Sequence, residues 1–405
     1  MTVTFKRLIL TLSSLVLALA IQPGSARAAA SAAPVFGPAE KLFSGQITVP
    51  GGKNVVTDGN NFYIAMVTDD GNNGRNEIRI ARLPNSGKAP EVTGIALAKP
   101  YGVLTDELSL AVSDSSSSTG RKTVHLVWRQ QAEDQAGLFY SWTNEANLDK
   151  WSAPVRINGK SSHCIDGTIV VNKKGDKHVI FIGDGPKMYY TKAASGSSNF
   201  SEPVALPGHP FFDNRSVDTA LDPGGTLHVA FIATEEASYE PSNRFGLQYT
   251  NFKQSTKKWS SPKEVIPIAT ISDRGNINIA ASDPKVLYIA SSLVNRVNLD
   301  VYKSENGGSL WKKSTVSRDR PHNDPSIAVA HDKSVTVGSG FTTTGEGEQE
   351  ARIFRSSDGV TWSPAAVIPN RTSVIVVLDI KGKAAVFASG STGLNDDMKY
   401  VYKEQ

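Results

Sequence analysis

The chain is nearly devoid of cysteine: Cys164 is the only one in 405 residues. No internal disulfide can form, so packing and hydrogen bonding must hold the fold together. Cys164 itself reads as a small buried residue, with a catalytic thiol as the alternative. Charge of one sign is also lacking. The 43 Lys and Arg face 39 Asp and Glu, a formal net charge of +4. That balance gives no electrostatic footprint for nucleic acid, and none is expected as a partner. Zinc-ligand spacing, a phosphate-binding loop and a nucleophile elbow are all missing. No cofactor or metal is therefore expected.

Long apolar runs are as scarce. The only one is at the start, where Lys6 and Arg7 precede an apolar stretch from Leu8 to Ile21. Ala26-Arg27-Ala28 follows as a small-x-small cleavage site. Residues 1–28 thus read as a secretory signal peptide, with no membrane span once it is cleaved. Its loss removes three cations (Lys6, Arg7, Arg27) and no acid, which brings the net charge from +4 to +1. The expected location is the periplasm or the outside of a bacterial cell. Residues 36–405 are expected to form one domain, long enough to build a packed core without disulfides.

What the chain does have is a repeat. An aromatic-rich run, a polar turn and then Trp-Ser or an equivalent return about every fifty residues. The anchors are Trp151, Phe200, Trp259, Trp311 and Trp362, spaced by 49, 59, 52 and 51 residues. A period near this length, in units rich in short strands, predicts an all-β fold: a β-propeller of four-stranded antiparallel blades. The fourth unit gives the frame, with strands a to d at SVDTALDP (216–223), TLHVAFIAT (226–234), FGLQYTNF (245–252) and WSSPKEVI (259–266). Alternation and β-branched or aromatic enrichment support these strands, and Asp222-Pro223-Gly224-Gly225 makes the turn between a and b. Seven units fit the frame. The last, ending in MKYVYKEQ, supplies three strands only, and residues 37–47 are expected to add the fourth and close the ring.

Two turns carry a family resemblance. SENGGSLW (304–311) and SSDGVTW (356–362) resemble the Asp-box, the Ser-x-Asp-x-Gly-x-Thr-Trp turn of sialidases and related BNR-repeat propellers. Ser304, Asn306, Gly308 and Trp311 match, with Asn in place of Asp. Ser356, Asp358, Gly359, Thr361 and Trp362 match in a copy one residue shorter. In that family the boxes lie between strands c and d, away from the active site, so the resemblance implies a sialidase-like propeller and assigns these residues a structural role. Asp or Asn binds its own turn, Gly takes a positive φ, and Trp packs between sheets. Sialidases also carry a Phe/Tyr-Arg-Ile-Pro motif and typically six blades. The motif is missing here, so no catalytic group is carried over.

The candidate site follows from where loops fall on a propeller. The loops from d to a and from b to c share the rim of the central funnel, and scaffold-held loops carry function. The d–a loops hold His163, Asp166, Asp213, Arg215, Asp273, Arg274, Arg320, His322, Asp324 and Arg371. Arg215, Arg274, Arg320 and Arg371 recur at nearly equivalent positions, and guanidinium groups suit a carboxylate ligand. Each could equally pair with a neighbouring Asp and close the joint between blades. Sialidases resemble the first reading, since they grip the substrate carboxylate with arginines. The b–c loops are polar and acidic. ATEEASYEPSNR (233–244) is the densest, with Glu235, Glu236, Tyr239 and Glu240. A glycosidase needs two carboxyl groups, or a Tyr and a carboxyl, across the scissile bond. Asp213 as acid with Glu235 is the pair the sequence offers. DDGNNGRNE (69–77) invites a Ca²⁺ reading but fits no EF-hand spacing.

Other recurrent residues read as packing. His178 and His228 share a position in b strands. Tyr140, Tyr190, Tyr249, Tyr302, Phe354 and Tyr402 recur once per blade in c strands, either as inter-blade packing or as sugar-stacking platforms. Two functions stand side by side. One is an exported sialidase-like propeller that binds, and as an exo-acting glycoside hydrolase would cleave, an acidic glycan at the funnel. The other is a non-catalytic lectin or protein-interaction propeller. A polysaccharide lyase is a third and weaker reading.

Overall fold

The computed structural model of the protein describes residues 40–41, 47–48, 53–69, 76–84, 91–95, 104–113, 122–130, 136–161, 164–184, 187–206, 212–234, 245–271, 276–292, 298–318, 322–341, 350–369, 373–378, 383–389 and 398–403. The signal-peptide reading of residues 1–28 falls outside them. Among the described residues every regular element is a strand, and no helix is long and apolar enough to cross a membrane.

The fold is an all-β propeller. Its strands pair into sheets that follow one another along the chain. The second sheet, for example, runs Leu104–Ser113, Thr123–Gln130, Gly137–Asn144 and Val155–Arg156, each strand antiparallel to its neighbour. The inner strands of the third to sixth sheets are Cys164–Val171, Phe212–Leu221, Ile277–Ala281 and His322–Val329. The fourth sheet has a fifth strand, because Phe245–Lys253 pairs with both Lys258–Trp259 and Lys263–Ile271. Six sheets are continuous in sequence, and a further sheet is composite. The composite joins Ser373–Leu378, Ala384–Ser389 and Met398–Lys403 to the short strand Glu40–Lys41, with Glu40 opposite Val401 and Lys41 opposite Tyr400. Of the segment 37–47 expected there, Ile47 instead pairs with Thr68 in the first sheet.

Period-2 alternation and burial on both faces explain the middle strands. Leu227–Thr234 reads LHVAFIAT, and all eight residues are buried. One face packs toward the third sheet and the other toward the fifth. Thus Leu227, Val229 and Phe231 meet Ile180, Ile182 and Tyr190, while Ala230 and Ile232 meet Ile277, Ile279 and Ile289. Each pair of adjacent sheets has such an apolar cluster, including the last against the first, where Phe387 meets Phe62 edge to face at 5.5 Å.

The described c-strand aromatics pack between sheets, and the side chain of Tyr402 lies outside the described residues. Tyr140 meets Phe200, Tyr190 meets Trp259 and Tyr249 meets Trp311, all edge to face at 4.9–5.4 Å. Such contacts add about 1 kcal/mol each beyond the area buried. Each tyrosine hydroxyl is also held by a histidine on the adjoining strand. His125, His178 and His228 lie 2.8, 2.7 and 2.6 Å from Tyr140, Tyr190 and Tyr249. Asp222 accepts from His228 Nε2 at 3.1 Å, which leaves Nδ1 to accept the Tyr249 hydroxyl. His178 and His228 are therefore packing residues, and His125 is a third of the same kind. Cys164 is buried.

The turns at 304–311 and 356–362 are built as their residues demand. Asn306 Oδ1 accepts from the amides of Ser309 and Leu310, and Asp358 Oδ1 from those of Val360 and Thr361. The Thr361 and Val360 amides hold the Asp358 carboxyl far below its ordinary range. Gly308 sits at φ +82° against the ring of Tyr249, where any Cβ would overlap it.

Candidate functional site

The inner strands of neighbouring sheets stand side by side around the middle of the propeller, and their polar residues tie each sheet to the next. Ser109 Oγ accepts from the Ile169 amide at 3.0 Å. Ser216 Oγ accepts from Ile277 N at 3.1 Å, and Asp218 Oδ2 from Ile279 N at 2.9 Å. Asn278 Oδ1 accepts from Ile327 N at 2.7 Å, and Ser326 Oγ from Val376 N at 2.9 Å. The pattern is one rule repeated: a short polar side chain on one inner strand takes an amide of the following one. Ser109, Asp218, Asn278 and Ser326 thus occupy equivalent places.

Two residues nearer the rim, a second polar layer also joins the sheets, by a backbone amide at Asp166 and by side chains alone between Asn276 and Asp324. Asp166 Oδ2 accepts from Val217 N at 2.5 Å. Asn276 donates its amide to Asp324 Oδ1. Both aspartates hold positive φ, 52° at Asp166 and 43° at Asp324. Each sits in a break of the strand register, between Ile165 and Thr168 and between Asn323 and Ser326. The fourth sheet has a similar break between Phe212 and Val217. Bulges of this kind re-aim side chains and are frequent beside functional sites.

Lys53 completes the arrangement from far away in sequence. Its Nζ lies 2.9 Å from Asp166 Oδ1 and also donates to the Val217 carbonyl. The first, third and fourth sheets are thereby joined by one ammonium group. Deeper in the wall, Asp218 is buried and accepts from Asn278 Nδ2 at 2.6 Å. Burial pushes its pKa up to about 6, against the pull of Lys53 and the amides.

The candidate residues fare as follows. Asp166 and Asp324 are brought to the same rim layer by equivalent bulges. His322 is fully buried with Nε2 3.0 Å from Ser317 Oγ. These three, and Asp213 and Arg215, belong to inner strands rather than to d–a loops, because pairing resumes beyond each bulge. The side chains of Asp213 and Arg215 are outside the described residues, as are His163, Glu235, Glu236, Tyr239, Glu240, Asp273, Arg274, Arg320 and Arg371 in full. Among the described residues, no group of three or more His, Cys, Asp or Glu side chains is placed to hold a metal ion.

Lys53 and the stitching residues Ser109, Ser216, Asp218, Asn278 and Ser326 escaped the sequence. Their types vary between Ser, Asp and Asn, and only their common place two or four residues after a d–a loop could have marked them.

No protein-family model matches the chain, and no curated protein matches it by sequence. Solved structures do match in fold. A polysaccharide lyase described as an ulvan lyase superposes with a TM-score of 0.61 at 11% identity, covering 90% of this chain and 95% of that one. A lectin from Burkholderia pseudomallei gives 0.59 at 12% identity, with 87% and 95% covered. A Hadza microbial sialidase gives 0.53 at 12% identity, with 82% and 74% covered. The resemblance to sialidase-like propellers thus holds at the level of fold.

Proposed function

We propose that the protein is an exported glycan-binding propeller whose ligand sits at the funnel, over the bulged starts of the inner strands. The observation that carries this reading is the rim layer of Asp166, Asn276 and Asp324 with Lys53 among them. Hydrogen-bonding groups fixed on rigid strands are what recognition of sugar hydroxyls requires. Proteins of the same fold support it: one neighbour is a lectin, one a sialidase, and the lyase is also described bound to -[GlcA(1-4)Rha3S]-. Within this reading the composite sheet is the seventh and closing blade, with Glu40–Lys41 as its outer strand.

The ligand we favour is an acidic glycan. Arg215, Arg274, Arg320 and Arg371 would supply guanidinium groups, and a sugar carboxylate would meet them as a bidentate partner. Hydrolysis would fall to Asp213 as acid and Glu235 as its partner. A non-catalytic lectin is the second reading. It is favoured by the commitment of Asp166, Asp218 and Asp324 to bonds between sheets, which leaves their carboxylates a holding role.

The test is a panel of sialosides, uronates and neutral oligosaccharides, followed by calorimetry and mass spectrometry in the same samples. Tight binding of acidic members, lost in Arg215→Ala and Arg274→Ala, is the expected result. Unchanged binding in both variants would refute the acidic-glycan site. Released monosaccharide would select hydrolysis, an unsaturated uronate a lyase, and binding without product the lectin.

A further inference from the structure

The outer strands of the fourth and fifth sheets concentrate charge. Residues 253–264 carry Lys253, Lys257, Lys258 and Lys263 against Glu264 alone. Residues 303–318 carry Lys303, Lys312, Lys313 and Arg318 against Glu305 alone. The whole chain has a net charge of only +4, so this is a local excess.

The pairing register makes that excess costly. Lys253 lies directly opposite Lys258, and in the next sheet Lys303 lies directly opposite Lys312. Like charges facing each other across antiparallel strands destabilise a sheet. The same pairing therefore occurs beside the same turn in two adjacent sheets. In the fifth sheet carboxylates relieve part of it, with Glu305 2.7 Å from Lys303 and Asp300 2.7 Å from Lys313. In the fourth, Lys253, Lys257 and Lys258 are exposed and make no ion pair with a described residue. Lys257 also holds φ +52°, a conformation uncommon for a lysine. The two groups are contiguous, since Lys263 Nζ donates to Ser309 Oγ in the neighbouring turn at 3.1 Å.

We infer that this surface, on the outer edge of the propeller and apart from the funnel, binds a linear anionic polysaccharide. Unpaired lysines on a rigid sheet are point charges that wait for repeated carboxylate or sulfate groups. A single-stranded nucleic acid would call for aromatic faces open to stacking. The aromatics of this region, Trp259 and Trp311, are instead packed against Tyr190 and Tyr249.

The test uses the whole protein with polygalacturonate, heparin, neutral dextran and phosphatidylserine vesicles as probes. The triple variant Lys253→Thr/Lys257→Asn/Lys258→Thr removes the exposed charges and the like-charge pair. Lys150→Thr/Lys383→Thr removes one exposed lysine from each of the second and last sheets as a control. At low salt the triple variant is expected to lose about tenfold or more in polygalacturonate affinity, with a weaker salt dependence than the parent. Its melting temperature should be unchanged or higher, which separates lost binding from lost folding. The control should bind as the parent does. Affinity within about twofold of the parent, or an equal loss in the control, would overturn the proposal. Vesicles bound more tightly than polygalacturonate would overturn the choice of a polysaccharide. Oligosaccharide binding at the funnel should survive the triple variant, so the two sites stand or fall separately.

Discussion

The joint between the fourth and fifth sheets and the joint between the last and the first solve the same problem by different means. At the first, Ser216 and Asp218 reach across to backbone amides and Asn278 donates to Asp218, while its Oδ1 carries the pattern on by accepting from Ile327 of the sixth sheet. At the second, the position equivalent to Asp218 and Asn278 is Ile375. It packs with Val55, Phe62 and Phe387 instead. A hydrogen bond to a single amide fixes register, because a slip by one residue leaves a buried donor without a partner. Apolar packing tolerates small shifts and supplies area. Register is thus specified within the run of the chain, while the joint between early and late segments relies on burial.

Three changes would break or sharpen that comparison. The largest effect is expected at the apolar joint. Phe387→Ala removes a fully buried ring that packs on Phe62, and should cost about 3–5 kcal/mol in urea unfolding. If the loss is below about 1 kcal/mol, the last and first sheets are not held by burial. Next comes Asn278→Ala at the stitched joint. It strands the Ile327 amide and removes one of the two donors to Asp218 Oδ2, with a cost of about 2–3 kcal/mol. Replacing Asn278 by Leu should be no better, since the amide of Ile327 still lacks an acceptor. Restored stability in Asn278→Leu would show the stitches to be dispensable.

The smallest effect is a pH dependence. The Asp218 pKa is about 6 in the fold and about 3.9 in an unfolded chain. The folded state therefore holds the proton more tightly. That stability is fully present below about pH 4 and is lost as pH rises through about 6. The buried histidines act in the opposite sense. Burial lowers His125 to about 3 and His178 to about 4, so their contribution is present above the ordinary histidine value near 6.5 and is lost as pH falls toward those values. Melting temperatures of the parent and of Asp218→Asn, compared from pH 4 to 7.5, separate the two. The parent should lose stability relative to the variant as pH rises through that window. Parallel curves would mean that Asp218 does not titrate there.

The same contrast explains what the sequence made legible. Trp259 and Trp311 recur because each fills the same gap against a tyrosine of the preceding sheet, and a large aromatic in a fixed slot leaves a visible period. Gly308 and Asn306 were readable because their turn admits few residues. The stitches obey an equally strict geometry, yet any short acceptor satisfies it, so Ser109, Asp218, Asn278 and Ser326 show no common letter. Lys53 was invisible for a different reason: it acts on Asp166, 113 residues away. The shared b-strand place of His178 and His228 was legible, and His125 joins them, because each pairs with the tyrosine of the adjoining strand. The site reading leaned on loop arginines, whereas the described rim contacts come from bulged strands.

The meeting of Phe387 with Phe62 has one further consequence, for cooperativity. A linear stack of repeating sheets has two ends and can unzip from either, one unit at a time. Once its last unit docks on its first there is no end from which to begin. The first opening must then break two joints at once, and every later step costs only one. Unfolding should therefore start late and finish abruptly, while Phe387→Ala would turn the same chain into an array that frays.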